Sequence, residues 1–237
     1  MRESSFGLPA NPALAADVRR ESHPGVLYYY SPNQVEAIAE TLAEGGRRTK
    51  ATGRTADQIA IDEQDGELVR VAASTGLRLG ELLALRWRDV NVPDSVLTIS
   101  RAMSAGIETT TKSGRVRRVP LPTQAADALQ RLARRPDFTR PAEFVFVDGF
   151  GRPLNPVTVR KRFKQGRDAA GARALRFHDL RHTYGSLLAA AGVDLVTIKD
   201  TMGHSALSTT GRYLHARPAS EQAAAFTRAF TGNGSPS

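Results

Sequence analysis

Three short β-like runs lie close together near the middle of the chain, between segments whose apolar residues recur at helical spacing. The runs cover residues 96–101, 106–110 and 116–119, and the serine- and glycine-containing pieces between them are typical of turns. Together they indicate one small antiparallel sheet. We therefore predict a mainly α fold of the α+β class with a three-stranded antiparallel β-sheet.

Capping residues and glycines predict where the helices on either side of these runs begin and end in the sequence. Ser31 and Pro32 predict an N-cap followed by a first helical position, and Gly76 predicts the end of the second helix. Periodic apolar residues predict helices at about 32–44, 59–74, 79–87, 123–134, 156–170, 178–191, 195–202, 207–214 and 218–230. We expect one domain over about residues 25–231, with a tail or linker remnant at 1–24, a flexible basic loop at about 46–57 and a disordered tail at 232–237.

The charge balance favours a polyanionic partner, of which nucleic acid is the most common. The 237 residues include 33 Lys and Arg against 24 Asp and Glu, a formal net charge of +9. The chain has no cysteine, which excludes disulfides, cysteine-ligated zinc and a thiol nucleophile. No run of 18 apolar residues occurs, and the N-terminus lacks a basic region followed by an apolar one, so we predict neither a membrane span nor a secretory signal.

Six polar residues form the candidate catalytic set: Arg78, Lys112, His178, Arg181, His204 and Tyr213. Taken alone, each has an ordinary structural explanation. Arg78 can form an ion pair with Glu81 three residues later. Lys112 lies at a predicted hairpin tip, where charged side chains are usually solvated, and Tyr213 can be a half-buried residue of a surface helix.

Taken together, the set matches attack on a phosphodiester. The phosphorus passes through a five-coordinate state with extra negative charge, which the paired guanidiniums of Arg78 and Arg181 match. Histidine adds a donor or moves a proton, and a lysine can protonate the leaving 5′ oxygen. A tyrosine hydroxyl, with a pKa of about 10, needs nearby cations or a base. No acidic triplet with metal-ligand spacing accompanies the set, which disfavours a two-metal nuclease, and we expect no cofactor. His182 is expected to pack or to form hydrogen bonds, and Tyr184 to lie in the core.

Four motifs resemble those of the tyrosine recombinases, the phage-integrase family. In chain order they are TGLRLGELLALRW (75–87), TKSGRVRRVPL (111–121), HDLRHT (178–183) and MGHSALSTTGRYLH (202–215). The resemblance covers about residues 25–231, and the order and spacing of the motifs agree with the family. It implies that Tyr213 is the nucleophile and that Glu81 supports the first catalytic arginine, while Met202 stands where the family often has leucine. The other catalytic residues that it implies are Arg78, Lys112, His178, Arg181 and His204.

The resemblance implies the catalytic domain of a site-specific recombinase or integrase. Such an enzyme cleaves and rejoins DNA without a metal, through a 3′-phosphotyrosyl intermediate. Its partner is double-stranded DNA, usually held as two duplexes by four protomers, and the last predicted helix could be exchanged between protomers or pack on its own domain. A cytoplasmic, nucleoid-associated location follows. The family usually carries a core-binding domain before the catalytic domain, and about 24 residues precede the catalytic domain here, so we expect that domain to be absent.

Basic residues outside the catalytic set are predicted to contact phosphates, or alternatively to form a solvated helix face. They are Arg115, Arg117, Arg160, Lys161, Arg162 and Lys164, with Arg86, Arg88, Arg167, Arg173 and Arg176 as further contacts. Two other functions stay open at this stage. A type IB topoisomerase-like enzyme would share the chemistry, and a non-catalytic DNA-binding fragment would fit a chain that lacks the core-binding domain.

Overall fold

Helices dominate the fold. The computed structural model describes residues 27–48, 53–110 and 116–216, apart from the side chain of His215. The α-helices of these residues are α1 (Pro32–Ala43), α2 (Ala56–Thr75), α3 (Leu79–Leu83), α4 (Thr123–Ala133), α5 (Pro156–Ala169), α6 (Asp179–Ala190), α7 (Leu195–Met202) and α8 (Leu207–Gly211). Short 3₁₀ helices cover Trp87–Asp89 and Arg212–Ala216. No helix in the described part of the chain is long and apolar enough to span a membrane.

The strands form two small antiparallel sheets. They are β1 (Val90–Asn91), β2 (Val96–Ile99), β3 (Arg101–Ser104), β4 (Ile107–Thr110) and β5 (Arg117–Pro120). One sheet has the order β1-β2-β5, and the other is the β3-β4 hairpin. A three-stranded antiparallel sheet is therefore present, as predicted, but β1 takes the place that we expected for residues 106–110. Ala105 and Gly106 both have positive φ, 49° and 81°, so a two-residue turn pairs β4 with β3 instead.

Capping residues set the helix boundaries. Ser31 accepts a hydrogen bond from the backbone of Gln34 and starts α1 as predicted. Thr55 forms a capping box with Gln58, in which each side chain bonds to the backbone of the other residue, as Ser31 and Gln34 also do. Helix α2 therefore starts at Ala56, three residues before the earliest predicted residue, Ile59. Gly76 ends α2 in the left-handed conformation, at φ 64°. The third and last described helices are shorter than predicted: α3 ends at Leu83, before Arg86 bridges to Phe144, and α8 continues directly as a 3₁₀ helix from Arg212.

Two clusters of buried apolar side chains hold the elements together. The larger one joins α1, α2, α4 and α5 to the β1-β2-β5 sheet. The smaller one lies between α6, α7 and the 3₁₀ helix Arg212–Ala216, and its buried members are Tyr184, Ala189, Ile198, Met202 and Tyr213. Tyr184 is thus a core residue, as predicted. This smaller cluster fixes the positions of the histidine-arginine motif and the tyrosine motif relative to each other.

The described ends of the predicted basic loop are bound to the start of α2. Arg47, Arg48 and Arg54 all form ion pairs with the fully buried carboxylate of Asp62, with distances of 2.8 Å from Arg48 and 3.3 Å from Arg54. These arginines are therefore partly buried and not exposed as we expected, while the flexibility of the loop stays a prediction. The reason is that Asp62, on a helix that starts earlier than predicted, needs cationic partners once it is buried. Residues 49–52 of the loop lie outside the described part.

Candidate active site

The C-terminus of α7 is where three arginines from separate elements meet. Side chains from β5, α6 and the residue before α3 donate to the carbonyls of three consecutive residues: Arg117 to Thr201, Arg181 to Met202 and Arg78 to Gly203. The last carbonyls of a helix have no intrahelical partner and carry partial negative charge. One helix end therefore aligns three cations that are distant in sequence.

Glu81 is the carboxylate of this cluster. Its oxygens accept two bonds from Arg117, at 2.9 and 2.7 Å, and one at 3.1 Å from the guanidinium of Arg78. The backbone N–H of Arg78 donates to Glu81 as well, at 2.8 Å. Burial opposes ionisation of Glu81, which is 2% exposed, yet the bonds and charge of Arg117 and Arg78 hold its pKa below the ordinary value. Glu81 is therefore an anion that fixes both guanidiniums.

Arg181 is a buried cation held by carbonyls. Only 4% of the residue is exposed, and its guanidinium donates to the carbonyl of Gly76 at 2.5 Å and to that of Met202. It forms no ion pair with a carboxylate of the described residues. Burial, with the nearby charge of Arg78, lowers the pKa of Arg181 to about 10, so it stays charged at neutral pH. A cation without a carboxylate partner favours binding of an anion.

Tyr213 is buried against α6. The residue is 1% exposed, and its hydroxyl lies 3.0 Å from Nδ1 of His182. The close approach requires a glycine at position 185, because a Cβ built there would lie 2.6 Å from the Tyr213 ring. Burial raises the pKa of Tyr213, while the charges of Arg181 and Arg212 oppose the rise. The structure therefore shows the tyrosine in a buried position against α6.

Two histidine rings, those of His182 and His204, lie beside Tyr213, and the ring of His178 contacts the first of them. His178 lies at the N-terminal end of α6, and its ring meets that of His182 edge to face, 5.2 Å between centroids. The ring of His204 is nearly parallel to that of Tyr213 at 6.4 Å, and its Nδ1 lies 2.9 Å from Oγ1 of Thr210. Desolvation by burial, reinforced by neighbouring cations, lowers the pKa values of His182 and His204 to about 4. Both rings are therefore neutral near pH 7.

A model of the phage integrase family matches residues 30–220, which is most of the chain. The chain belongs to the phage integrase family. Among its relatives are the tyrosine recombinases XerC of Pelobacter propionicus, 32% identical over 86% of this chain and 60% of the relative, and of Rhizobium meliloti, 29% identical over 77% and 56%. The chain thus spans about half to three fifths of the length of these curated relatives.

Solved structures of integrases share the fold. The Tn1549 transposon integrase in complex with circular intermediate DNA superposes with a TM-score of 0.65, at 22% identity, over 85% of this chain and 66% of that one. The catalytic domain of bacteriophage HP1 integrase gives a TM-score of 0.56, at 21% identity, over 88% of this chain and 99% of that one. The catalytic-domain fold expected from the four motifs is confirmed.

The structure of this integrase-family chain brings most of the predicted set together. Arg78, His178, Arg181, His204 and Tyr213 all lie around the C-terminus of α7, the N-terminal half of α6 and the 3₁₀ helix that carries the tyrosine. Glu81 supports Arg78 directly, as expected. Lys112 and Arg115 lie outside the described residues, so their places in the site stay predictions.

Two predicted DNA contacts point away from solvent. The side chain of Arg117 is 11% exposed and is bound to Glu81; it faces inward because it shares a strand face with the buried Val119. Arg162 is bound to the buried Asp65 at 3.3 Å. The structure therefore gives both arginines carboxylate partners within the protein, and their predicted contact with DNA stays a prediction.

The remaining predicted contacts divide by exposure. Arg160, Lys161 and Lys164 are exposed on α5, where Lys164 also pairs with Asp168 at 2.8 Å. Arg88 and Arg173 are exposed, and so is Arg176, which pairs with Asp179. Arg167 is buried and donates to the carbonyl of Leu175, and Arg86 is bound to Glu108 at 2.8 Å. The α5 face thus remains open to a ligand, as do the exposed side chains of Arg88, Arg173 and Arg176.

His182 is the site residue that sequence reasoning undervalued. We expected packing or a hydrogen bond without a role in the site, and the structure shows the bond to be with the Tyr213 hydroxyl. The signal was present in the helical spacing, since His178 and His182 are four residues apart and share a face of α6. What the sequence could not show is that the tyrosine docks on that same face.

Proposed function

We propose that the chain is the catalytic domain of a site-specific DNA recombinase that cleaves and rejoins strands through a covalent link to Tyr213. The observation that carries this proposal is the imbalance of charge around α7. Three cations, Arg78, Arg117 and Arg181, meet there, and among the described residues one carboxylate, that of Glu81, is bonded to them. A scissile phosphate would supply the missing negative charge, and its transition state, which is more negative, would be bound more tightly.

The exposure of the two predicted catalytic arginines gives them different parts in this proposal. The Arg78 side chain is 33% exposed, so it can meet a phosphate with little rearrangement. Arg181 is buried and held by carbonyls, which orients its guanidinium in advance. His204 and His178 add neutral imidazole donors near the same place.

In the reaction, the Tyr213 oxygen forms a bond to the scissile phosphorus while the bond from phosphorus to the 5′ oxygen breaks. The tyrosine proton passes to a base, for which Nδ1 of His182 is the nearest candidate at 3.0 Å. The 5′ oxygen takes a proton from an acid, for which Lys112 is the predicted donor. A 5′ hydroxyl of a second strand then attacks the phosphotyrosine and restores both groups, so the phosphodiester bond energy is retained.

The assembly is part of the proposal and rests on the family resemblance. Double-stranded DNA is the substrate, with two duplexes and four protomers in the complete complex. The helix predicted at 218–230, which lies outside the described residues, is the candidate element for exchange between protomers. The enzyme would act in the cytoplasm on nucleoid DNA.

A nicked suicide substrate tests the chemistry. We expect wild-type protein to form a covalent DNA adduct that maps to Tyr213, and Tyr213→Phe to form none. Arg78→Ala should slow adduct formation by about 10²- to 10³-fold, the usual loss for one preorganised donor, whereas Arg140→Ala, at an exposed arginine paired with Glu143, should not. Adduct formation by Tyr213→Phe would contradict the proposal. Relaxation of supercoiled plasmid without recombinants between paired sites would favour a topoisomerase.

A further inference from the structure

His204 has one ring nitrogen bound inside the protein and one left for a ligand. Its Nδ1 lies 2.9 Å from Oγ1 of Thr210, so Nε2 is the nitrogen that a substrate can meet. Burial, with the charges of Arg181 and Arg78, lowers the pKa of His204 to about 4. A neutral imidazole carries a single N–H, on one nitrogen or the other. The partner of Nδ1 therefore decides whether Nε2 donates or accepts a hydrogen bond.

Thr210 differs from other buried threonines of this fold in where its hydroxyl points. Thr75, Thr183 and Thr201 each donate to the carbonyl four residues earlier, at 2.6, 3.0 and 2.9 Å. Such bonds are the usual use of a threonine hydroxyl in a helix. Thr210 is fully buried and, among the bonds of the described residues, its hydroxyl is joined to His204 and not to a carbonyl. Its hydrogen is therefore available to the imidazole.

We propose that Thr210 is a positioning residue that donates its hydroxyl hydrogen to Nδ1 of His204 and so places the imidazole hydrogen on Nε2. The opposite arrangement, with Nδ1–H donating to Thr210, would leave the hydroxyl hydrogen of a fully buried residue without an acceptor, which is unfavourable. In the proposed arrangement, each polar hydrogen of the pair has an acceptor or faces the site.

The consequence for catalysis rests on the proposed function. A donor at Nε2 can bind a non-bridging oxygen of a phosphate, whereas an unprotonated Nε2 would repel it. Thr210 also lies three residues before Tyr213, where α8 runs directly into the 3₁₀ helix that carries the tyrosine. Movement of that segment toward DNA would therefore move the partner of His204 together with the nucleophile.

The tautomer can be measured without any activity. Long-range ¹H–¹⁵N correlation spectra of the imidazoles, with His204 assigned by a His204→Asn variant, report which nitrogen is protonated. We expect Nε2–H in wild type, loss of that preference in Thr210→Val, which keeps the shape and removes the hydroxyl, and its return in Thr210→Ser. Thr209→Val is the matched control, since the adjacent hydroxyl makes no bond to His204. A wild-type ring protonated on Nδ1, or an unchanged preference in Thr210→Val, would overturn the proposal.

Adduct formation tests the catalytic consequence separately. Thr210→Val should slow covalent adduct formation on the suicide substrate by roughly tenfold or more, because a misdirected donor is lost in part or in full. Thr210→Ser and Thr209→Val should stay near the wild-type rate. A full rate in Thr210→Val despite a changed tautomer would overturn the catalytic consequence alone. Failure of the recombinase proposal would appear instead as an adduct in Tyr213→Phe, with the tautomer results unaffected.

Discussion

At the scale of single residues, Arg117 joins the buried carboxylate of the site to the end of α7. It binds both oxygens of Glu81 and the carbonyl of Thr201, while Glu81 in turn holds Arg78. Removing Arg117 would leave the buried carboxylate of Glu81 with one partner fewer and would remove the side-chain donor to the carbonyl of Thr201. Arg78 would then lose its fixed position, although Arg117 itself need not touch DNA.

We therefore expect Arg117→Ala to lower the free energy of unfolding by about 3–5 kcal/mol, the usual cost of breaking a buried ion pair. Arg118→Ala is the matched control, because Arg118 lies next to it on β5 and is exposed; its effect should stay within about 0.5 kcal/mol. Urea denaturation of the two variants measures the difference. Equal stabilities would show that the contacts of Arg117 contribute little.

Arg117 also shows what the sequence could and could not predict at this scale. The four motifs predicted Glu81 as the support of Arg78, because three residues separate them on one helical turn. Arg117 was assigned to DNA by its charge and by its neighbours, although the strand alternation with Val119 already placed it on the inner face. Its partner Glu81 lies 36 residues earlier in the chain, and no local pattern shows such a contact.

At the scale of elements, the docking of the tyrosine-bearing segment on α6 depends on a missing side chain. A Cβ at position 185 would lie 2.6 Å from the ring of Tyr213, whereas a Cβ at Gly211 would meet nothing within 4 Å. The absence of a side chain at Gly185 thus permits the buried position of Tyr213, whereas a Cβ at Gly211 would lie in open space. The pair separates the effect of docking from the general effect of replacing glycine in a helix.

We expect Gly185→Ala to destabilise the protein by about 1–3 kcal/mol through overpacking and to push the Tyr213 ring out of its site. Gly211→Ala should be neutral or stabilise by up to about 1 kcal/mol, since alanine favours helix. Nitration of Tyr213, quantified by peptide mass spectrometry, reports its exposure. We expect Tyr213 to be nitrated more than in wild type in Gly185→Ala, and to the same extent as in wild type in Gly211→Ala. A Tyr213 that stays protected in Gly185→Ala would show that α6 accommodates the methyl group in another way.

The elements themselves were largely predictable because their signals are local. Caps at Ser31 and Gly76 and the apolar period gave α1 and the end of α2, and the predicted bounds of α7 agree with those observed. Strand pairing was not predictable, since the Ala105-Gly106 turn joins β4 to β3 and leaves β2 to pair with β5 across the hairpin. The burial of Tyr213 depends on contacts between distant elements, which a polar local sequence does not show.

At the scale of the whole molecule, the basic residues behind the net charge of +9 differ in whether a carboxylate already pairs with them. Many arginines are bound to carboxylates, as around Asp62 and Glu81. On α5, by contrast, Arg160 and Lys161 are exposed and form no ion pair with a described carboxylate. Their charge is therefore available to phosphates, and the counterions released there would make binding depend on salt.

We expect the double variant Arg160→Gln/Lys161→Gln to reduce the slope of log K against log salt concentration by about 1.8, since each phosphate contact contributes about 0.9. Arg140→Gln/Arg152→Gln removes the same charge from two exposed arginines that are already paired with Glu143 and Asp148, so its slope should stay close to that of wild type. Fluorescence anisotropy with duplex DNA at several salt concentrations measures both. If the two double variants change the slope equally, net charge and not the α5 face governs binding, because only a direct contact distinguishes them.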